Sequence, residues 1–220
     1  IPNFFNNNRQ RMAYVKKMQG DIDKCDLIFT DSSYSKNQIE TNFQVKNEII
    51  VNYLAATLPQ YQSNLFKKPD FQYFIYVGGY ASRKGLEYLL KAYFSLHEKK
   101  KTECKLLFIG IPLPISTEFE TLMIKGKKLG IIEGKGYVSD DELSFLLSNS
   151  VGLLYLSKYE GFGLPPLEAM SLGCPVITTK YSSIPEICGE AAIYVEPDDI
   201  DEVTNKMELL ENNLNFRKEL

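Results

Sequence analysis

At 220 residues with 44% apolar and 24% charged side chains, the chain is long enough for one large domain, or one domain and part of another, and too apolar to be disordered. A net charge of −3 argues against a general nucleic-acid binder, and no apolar run approaches the roughly 18 residues of a spanning helix. Ile1-Pro2-Asn3-Phe4 lacks the basic start and apolar stretch of a signal peptide, and the absent initiator Met suggests a fragment of something longer. Cys25, Cys104, Cys174 and Cys188 form no CxxC pair and have no histidine beside them, so neither zinc nor a disulfide framework is indicated and a reducing cytosol is expected.

In chain order, the first pattern is a basic stretch, Arg9, Arg11, Lys16 and Lys17, with Met12, Val15 and Met18 at helical spacing. Such a helix offers a face to anionic lipid; the plainer alternative is a solvated helix packed on its own domain. Strands are expected at Leu27–Thr30, Ile49–Asn52, Tyr73–Val77, Lys105–Ile109, Val151–Leu156, Val176–Thr179 and Ala192–Val195. Several are apolar throughout, which suits a parallel sheet covered on both faces. Leu86, Leu89, Leu90, Tyr93 and Phe94 mark one helix, with His97 on the edge of its stripe in a packing or surface role. Leu143, Leu146 and Leu147 mark another, opened by Ser139 as cap and by Asp140, Asp141 and Glu142 as an acidic first turn. The polar, proline-bounded stretch from Ala55 to Asp70 has linker composition. The expected organisation is therefore an incomplete first domain at 1–55, a linker at 56–70 and a second domain at 71–220. The alternating order predicts an α/β, Rossmann-like, doubly wound parallel sheet, in which ligands collect beyond the carboxyl ends of the strands.

Two strand ends carry the chemistry. After Val77 come Gly78 and Gly79, which let a ligand approach the backbone, and then Arg83 and Lys84 at an expected helix start, a setting that favours anions. Neither a P-loop nor a GxGxxG fingerprint fits this segment. The alternative is a turn with two solvated cations. After the strand at Val151–Leu156 comes Glu160-Gly161-Phe162-Gly163-Leu164-Pro165-Pro166-Leu167-Glu168. Its paired prolines start a helix where their missing N–H groups cost nothing. N–H groups near Gly163 and Leu164 can face a phosphate, and the two carboxylates can accept from hydroxyls. The alternative here is a helix start with favourable acids.

Glu160 and Glu168, seven residues apart around Gly-Phe-Gly-Leu-Pro-Pro-Leu, resemble the paired-glutamate motif of retaining GT-B glycosyltransferases, the glycosyltransferase family 4 group. Similar to that family too are the continuation Glu168-Ala169-Met170-Ser171-Leu172-Gly173-Cys174-Pro175-Val176-Ile177, Ser182-Ser183-Ile184-Pro185-Glu186 and Gly136-Tyr137-Val138-Ser139-Asp140-Asp141-Glu142-Leu143. The match spans roughly Asp26 to Asp199, in the family's order, and lies nearest the mannosyltransferase-like branch. The resemblance implies a two-domain enzyme of which residues 71–220 are the C-terminal, donor-binding domain. It implies that Arg83 and Lys84 hold a diphosphate, with Glu160 on hydroxyls of the transferred sugar and Glu168 on the ribose. Gly161, Phe162, Gly163 and Leu164 would line sugar and phosphate through their backbone. Val138 and Leu143 would meet the base, and Gly78 and Gly79 would give the diphosphate room. Tyr80 and Tyr159 are further candidates for lining the pocket. The implied donor is a nucleotide sugar, GDP-mannose ahead of UDP-hexose, used without cofactor or metal. The implied acceptor is a saccharide or a lipid-linked glycan, and no nucleic acid is involved. The implied location is the cytoplasm, with peripheral contact at the inner face of the membrane as a further option. The alternative is a nucleotide-sugar-binding module without turnover, since the acceptor domain looks incomplete.

Overall fold

The computed structural model describes residues 7–59, 65–111 and 116–219 and divides into two units, Ile1–Leu54 and Ala55–Leu220. In the first, helix α1 (Asn8–Ile22) is capped by the Asn7 side chain accepting from the Gln10 N–H. Strand β1 (Leu27–Thr30), helix α2 (Ser33–Asn42) and strand β2 (Glu48–Val51) follow. β1 and β2 pair in parallel from Leu27 opposite Glu48 to Thr30 opposite Val51. Gln19 ties α1 to the approach of β2: its amide donates to the Gln44 carbonyl at 2.8 Å and accepts from the Gln44 N–H at 2.9 Å. The basic stretch lies on α1, and Met12 is 73% exposed there.

In the second unit the apolar runs become the centre of one parallel sheet. Its strands are β3 (Tyr73–Val77), β4 (Lys105–Ile109), β5 (Ile132–Gly136), β6 (Gly152–Tyr155), β7 (Val176–Thr178) and β8 (Ile193–Tyr194), in the order β5-β4-β3-β6-β7-β8. Every residue of β3, β6 and β7 is buried, as a strand covered on both faces requires. The helices are α3 (Leu86–Lys100), α4 (Thr117–Lys128), α5 (Asp140–Ser148), α6 (Leu164–Ser171), α7 (Ile184–Cys188), α8 (Ile200–Asn212) and α9 (Leu214–Glu219). With this strand order, the right-handed crossovers that parallel strands take put α3 and α4 on one face of the sheet and α5, α6 and α7 on the other. α8 returns along α3, where the Thr204 hydroxyl donates to the Ala92 carbonyl at 3.2 Å. This is the doubly wound α/β fold expected of the sequence.

Strand β5 is an addition. Ile132-Glu133-Gly134-Lys135-Gly136 has two glycines and two charges and reads as a loop. It holds its place as an edge strand, where one flank needs no partner and charges stay wet. Lys105 Nζ reaches Glu133 Oε1 across the pair at 2.6 Å. The segment with linker composition carries no helix or strand among its described residues, and 60–64 lie outside them. Leu58 and Phe66 pack on the core of the second unit, Phe66 lying 5.4 Å from the Phe145 ring.

Candidate functional site

The strand order reverses between β3 and β6: β4 and β5 extend to one side, β7 and β8 to the other. At such a switch point the loops leaving two neighbouring strands turn apart and open a crevice at their carboxyl ends. Arg83 and Lys84 follow one of these strands and Glu160 follows the other.

Between β3 and α3 the chain makes a single 3-10 turn, Ser82–Lys84. The cations therefore precede the helix in a turn of their own; they do not occupy its N-terminus as the sequence suggests. The reason is Gly85, which closes the turn at φ +66°. A Cβ on Gly85 would stand 2.1 Å from the Leu156 carbonyl oxygen, so its absence lets this turn lie against the end of β6. Lys158 N–H donates to the Arg83 carbonyl at 2.8 Å and fixes the same contact.

Glu160 lies where the two loops meet. Lys84 Nζ reaches its Oε1 at 2.6 Å and Arg83 Nη1 its Oε2 at 3.0 Å. Oε1 also accepts from the Ser157 hydroxyl at 2.6 Å and the Tyr155 hydroxyl at 2.8 Å. Arg83 Nη1 donates as well to the Tyr159 carbonyl at 2.7 Å. Glu160 is buried and Lys84 with it, whereas the Arg83 side chain keeps 34% of its surface. Burial pushes the Glu160 pKa up, but Lys84, the Ser157 hydroxyl and Arg83 together outweigh it and hold the carboxyl below its ordinary value. For Lys84, burial is the largest influence and, with the like charge of Arg83, draws the ammonium below its ordinary value despite the opposing pull of Glu160. Two cations on one carboxylate leave an excess positive charge, partly buried, at the crevice.

The loop carrying Glu160 is held from below by residues to which the sequence assigned no role. Ser182 Oγ accepts from the Glu160 N–H at 2.9 Å, and Ser183 Oγ donates to the carbonyls of Glu160 at 3.1 Å and Phe162 at 2.7 Å. Ser182 adopts φ +55°, an unusual setting for a residue with a side chain. Thr178 and Thr179 bind the Tyr155 and Ser157 carbonyls at 2.8 and 2.6 Å. The Ser182–Glu186 motif was the available signal for the serines; for Tyr155 it was a polar-tipped ring ending an otherwise aliphatic strand.

The remaining candidates divide. Phe162 is buried, so the ring anchors the loop and only backbone could face a ligand. Gly163 caps α6 at φ +112°, and a Cβ there would stand 2.7 Å from Ile184. With Pro165 and Pro166 following, α6 has the Leu164 N–H without an intrahelical partner; the Leu164 side chain is partly exposed and Gly161 half-buried. Gly78, at φ +141°, leaves room for the Tyr76 hydroxyl, which donates to the Gly79 carbonyl at 2.9 Å, and the space in front of Gly79 is open. Glu168, half-buried, is the fifth residue of α6 and belongs to none of the ion pairs around Glu160. Burial, and then the charge of Asp140, raise its pKa. That influence puts the start of α5 near Glu168, and the half-buried Val138 and Leu143 flank this start. Tyr80 corrects the expectation of a pocket-lining ring. It is 5% exposed, packed edge-on against Tyr76, Phe108 and Phe119, and its hydroxyl is pushed up to about 12 by burial. Tyr159 stays half-buried and meets Arg83 through its carbonyl. His97 lies in the last turn of α3, away from these loops in sequence and in fold. Among the described residues no cluster of His, Cys, Asp or Glu could hold a metal ion, and no helix is long and apolar enough to cross a membrane.

Comparison with known proteins agrees with this architecture. The chain is 31% identical over 207 residues to O-antigen chain mannosyltransferase B of Escherichia coli, covering 89% of this chain and 54% of that protein, so it spans about half of that relative's length. Sucrose-phosphate synthase of Thermosynechococcus elongatus superposes with a TM-score of 0.76 at 20% identity, over 94% of this chain and 55% of that one. Anabaena Alr3699/HepE, solved in complex with UDP and glucose, does so with a TM-score of 0.75 at 16% identity, over 99% and 60%. Residues 59–220, which contain every charged group of the crevice, match the family model described as "Glycosyl transferases group 1", and to that family the chain belongs.

Proposed function

We propose that the chain binds a nucleotide-diphospho-sugar at the β3–β6 crevice and serves transfer of its hexose, with retention, to a saccharide or lipid-linked acceptor. One observation carries the reading: Arg83 and Lys84 converge on a single carboxylate and leave net positive charge at the switch point. A diphosphate leaving group gains negative charge as its bond to the sugar breaks, and prepositioned cations stabilise that charge without reorganising. Arg83, the more exposed of the two, has Nη2 and Nε left for phosphate oxygens in forked geometry. The Leu164 N–H adds a backbone donor, Glu168 an acceptor for ribose hydroxyls, and the Val138–Leu143 segment a seat for the base. Glu160 meets the sugar through Oε2, the oxygen bonded to Arg83 alone. These groups fit metal-free use of the donor. A mannosyl donor is favoured by the E. coli relative, whose name is that of a mannosyltransferase, and a uridine nucleotide by the UDP bound to the Anabaena protein. The same reading assigns the protein to the cytoplasm.

The experiment is a binding titration of the chain with GDP, UDP and ADP and their hexose derivatives, followed by thermal unfolding. At least one pair is expected to raise the midpoint, which also identifies the base. No shift with any of them sinks the reading. Binding without transfer to any saccharide acceptor would favour a donor-binding module instead.

A further inference from the structure

Tyr155 ends β6 with its ring 1% exposed. Its hydroxyl accepts from Lys84 Nζ at 2.7 Å and donates to Glu160 Oε1 at 2.8 Å, while the ammonium lies 4.9 Å from the ring centroid. With the 2.6 Å Lys84–Glu160 contact this closes a ring of three groups. An ammonium has three N–H bonds in fixed tetrahedral directions. Two of them are taken by Tyr155 and Glu160, and the third has no acceptor among the described residues. Two fixed bonds set the direction of the third. With Glu160 alone, Nζ could swing on the flexible lysine stem about that one contact, carrying the third N–H with it.

We propose that Tyr155 is a positioning residue of the donor site, its hydroxyl orienting the Lys84 ammonium toward the diphosphate of an incoming nucleotide. The inference rests on the nucleotide-sugar reading above. Lys84 is faced by Tyr155 from β6, Glu160 from the following loop and Arg83 from its own turn; Tyr76 of β3 stands near Tyr155. Burial raises both phenols far above their ordinary range, and Glu160 is ionised well below neutrality, so Lys84 is the group among these that loses its proton first as pH rises. Removing the hydroxyl takes an acceptor from the ammonium, which favours its neutral form and brings that loss to lower pH.

The test is the affinity of the whole chain for GDP, with UDP in parallel, for wild type and Tyr155→Phe between pH 7 and 10. Taking the ratio of the two proteins at each pH cancels titration of the nucleotide. Tyr155→Phe is expected to bind about tenfold more weakly at pH 7, the effect of one hydrogen bond to a charged group, and the ratio should widen toward pH 10. Equal affinities, or a ratio flat with pH, overturn the proposal and leave Tyr155 a packing residue. If Tyr155→Phe does not fold, Lys84→Arg carries the test. Its charge persists at high pH, so its affinity relative to wild type should rise toward pH 10, and a ratio flat with pH overturns the proposal. Absence of binding by wild type to either nucleotide is a different failure: it removes the donor-site reading and this inference with it.

Discussion

Glu160 sets the charge of the site, and its two oxygens are used unequally. Oε1 is saturated by Lys84, Tyr155 and Ser157, while Oε2 meets Arg83 alone. Glu160→Gln keeps the shape but leaves two cations facing a buried amide. Breaking such a pair should cost about 3 kcal/mol at neutral pH, measured by urea unfolding. The pH dependence has a definite sign. The folded pKa of Glu160 lies below its unfolded value, so its contribution is full above the unfolded pKa and fades as pH falls through the folded one. The gap between wild type and variant should therefore begin to narrow as pH falls below the unfolded carboxyl value of about 4.3 and close only past the lower folded value; a gap that stays constant into acid would contradict the assignment. Glu168 has the opposite sign. Its pKa is raised, so its ionised form is disfavoured in the fold and stability is lost as pH rises through the folded value. Glu168→Gln should stabilise the empty protein at pH 7 by about 0.5 kcal/mol, a small figure because the group is half-solvated, while weakening nucleotide binding. Parallel thermal unfolding and titration would show whether the two effects separate.

At the scale of elements, the turn between β3 and α3 joins the two strand ends. Its geometry depends on Gly85, where φ is positive and any Cβ meets the Leu156 carbonyl. Gly85→Ala should cost about 2 kcal/mol or more, combining a left-handed backbone with a clash that neither rigid element can relieve. Chemical denaturation measures this, and a loss near zero would mean that turn and strand are not in contact. Tyr73–Val77 was legible as a strand because five consecutive apolar residues suit only a doubly covered position. β5 was not legible, because its stability comes from pairing with β4 and its own residues carry no pattern. The 3-10 turn was also hidden: Arg83-Lys84-Gly85-Leu86 reads locally as a helix start, and the left-handed Gly85 appears only once β6 lies beside it.

For the molecule as a whole, every charged group of the crevice belongs to the unit Ala55–Leu220, and so do the tyrosine and serines that hold them. Residues 55–220 alone should unfold cooperatively and bind GDP or UDP within about threefold of the whole chain's affinity, a difference under 1 kcal/mol. A loss of binding on removing 1–54 would place part of the nucleotide site in the first unit. The sequence by itself determined the class of fold, the central strands, and the cations and glutamates. Runs of apolar residues, glycine and proline placement and charge are local properties, written within ten residues of one another. Only the tertiary structure decided which groups meet. Lys84 and Tyr155 are 71 residues apart and Glu160 and Ser183 are 23 apart. The first pair touches because β3 and β6 are neighbours at the reversal of strand order, and the second because β7 lies on the other side of β6, pairings set by crossover topology and burial of the whole sheet.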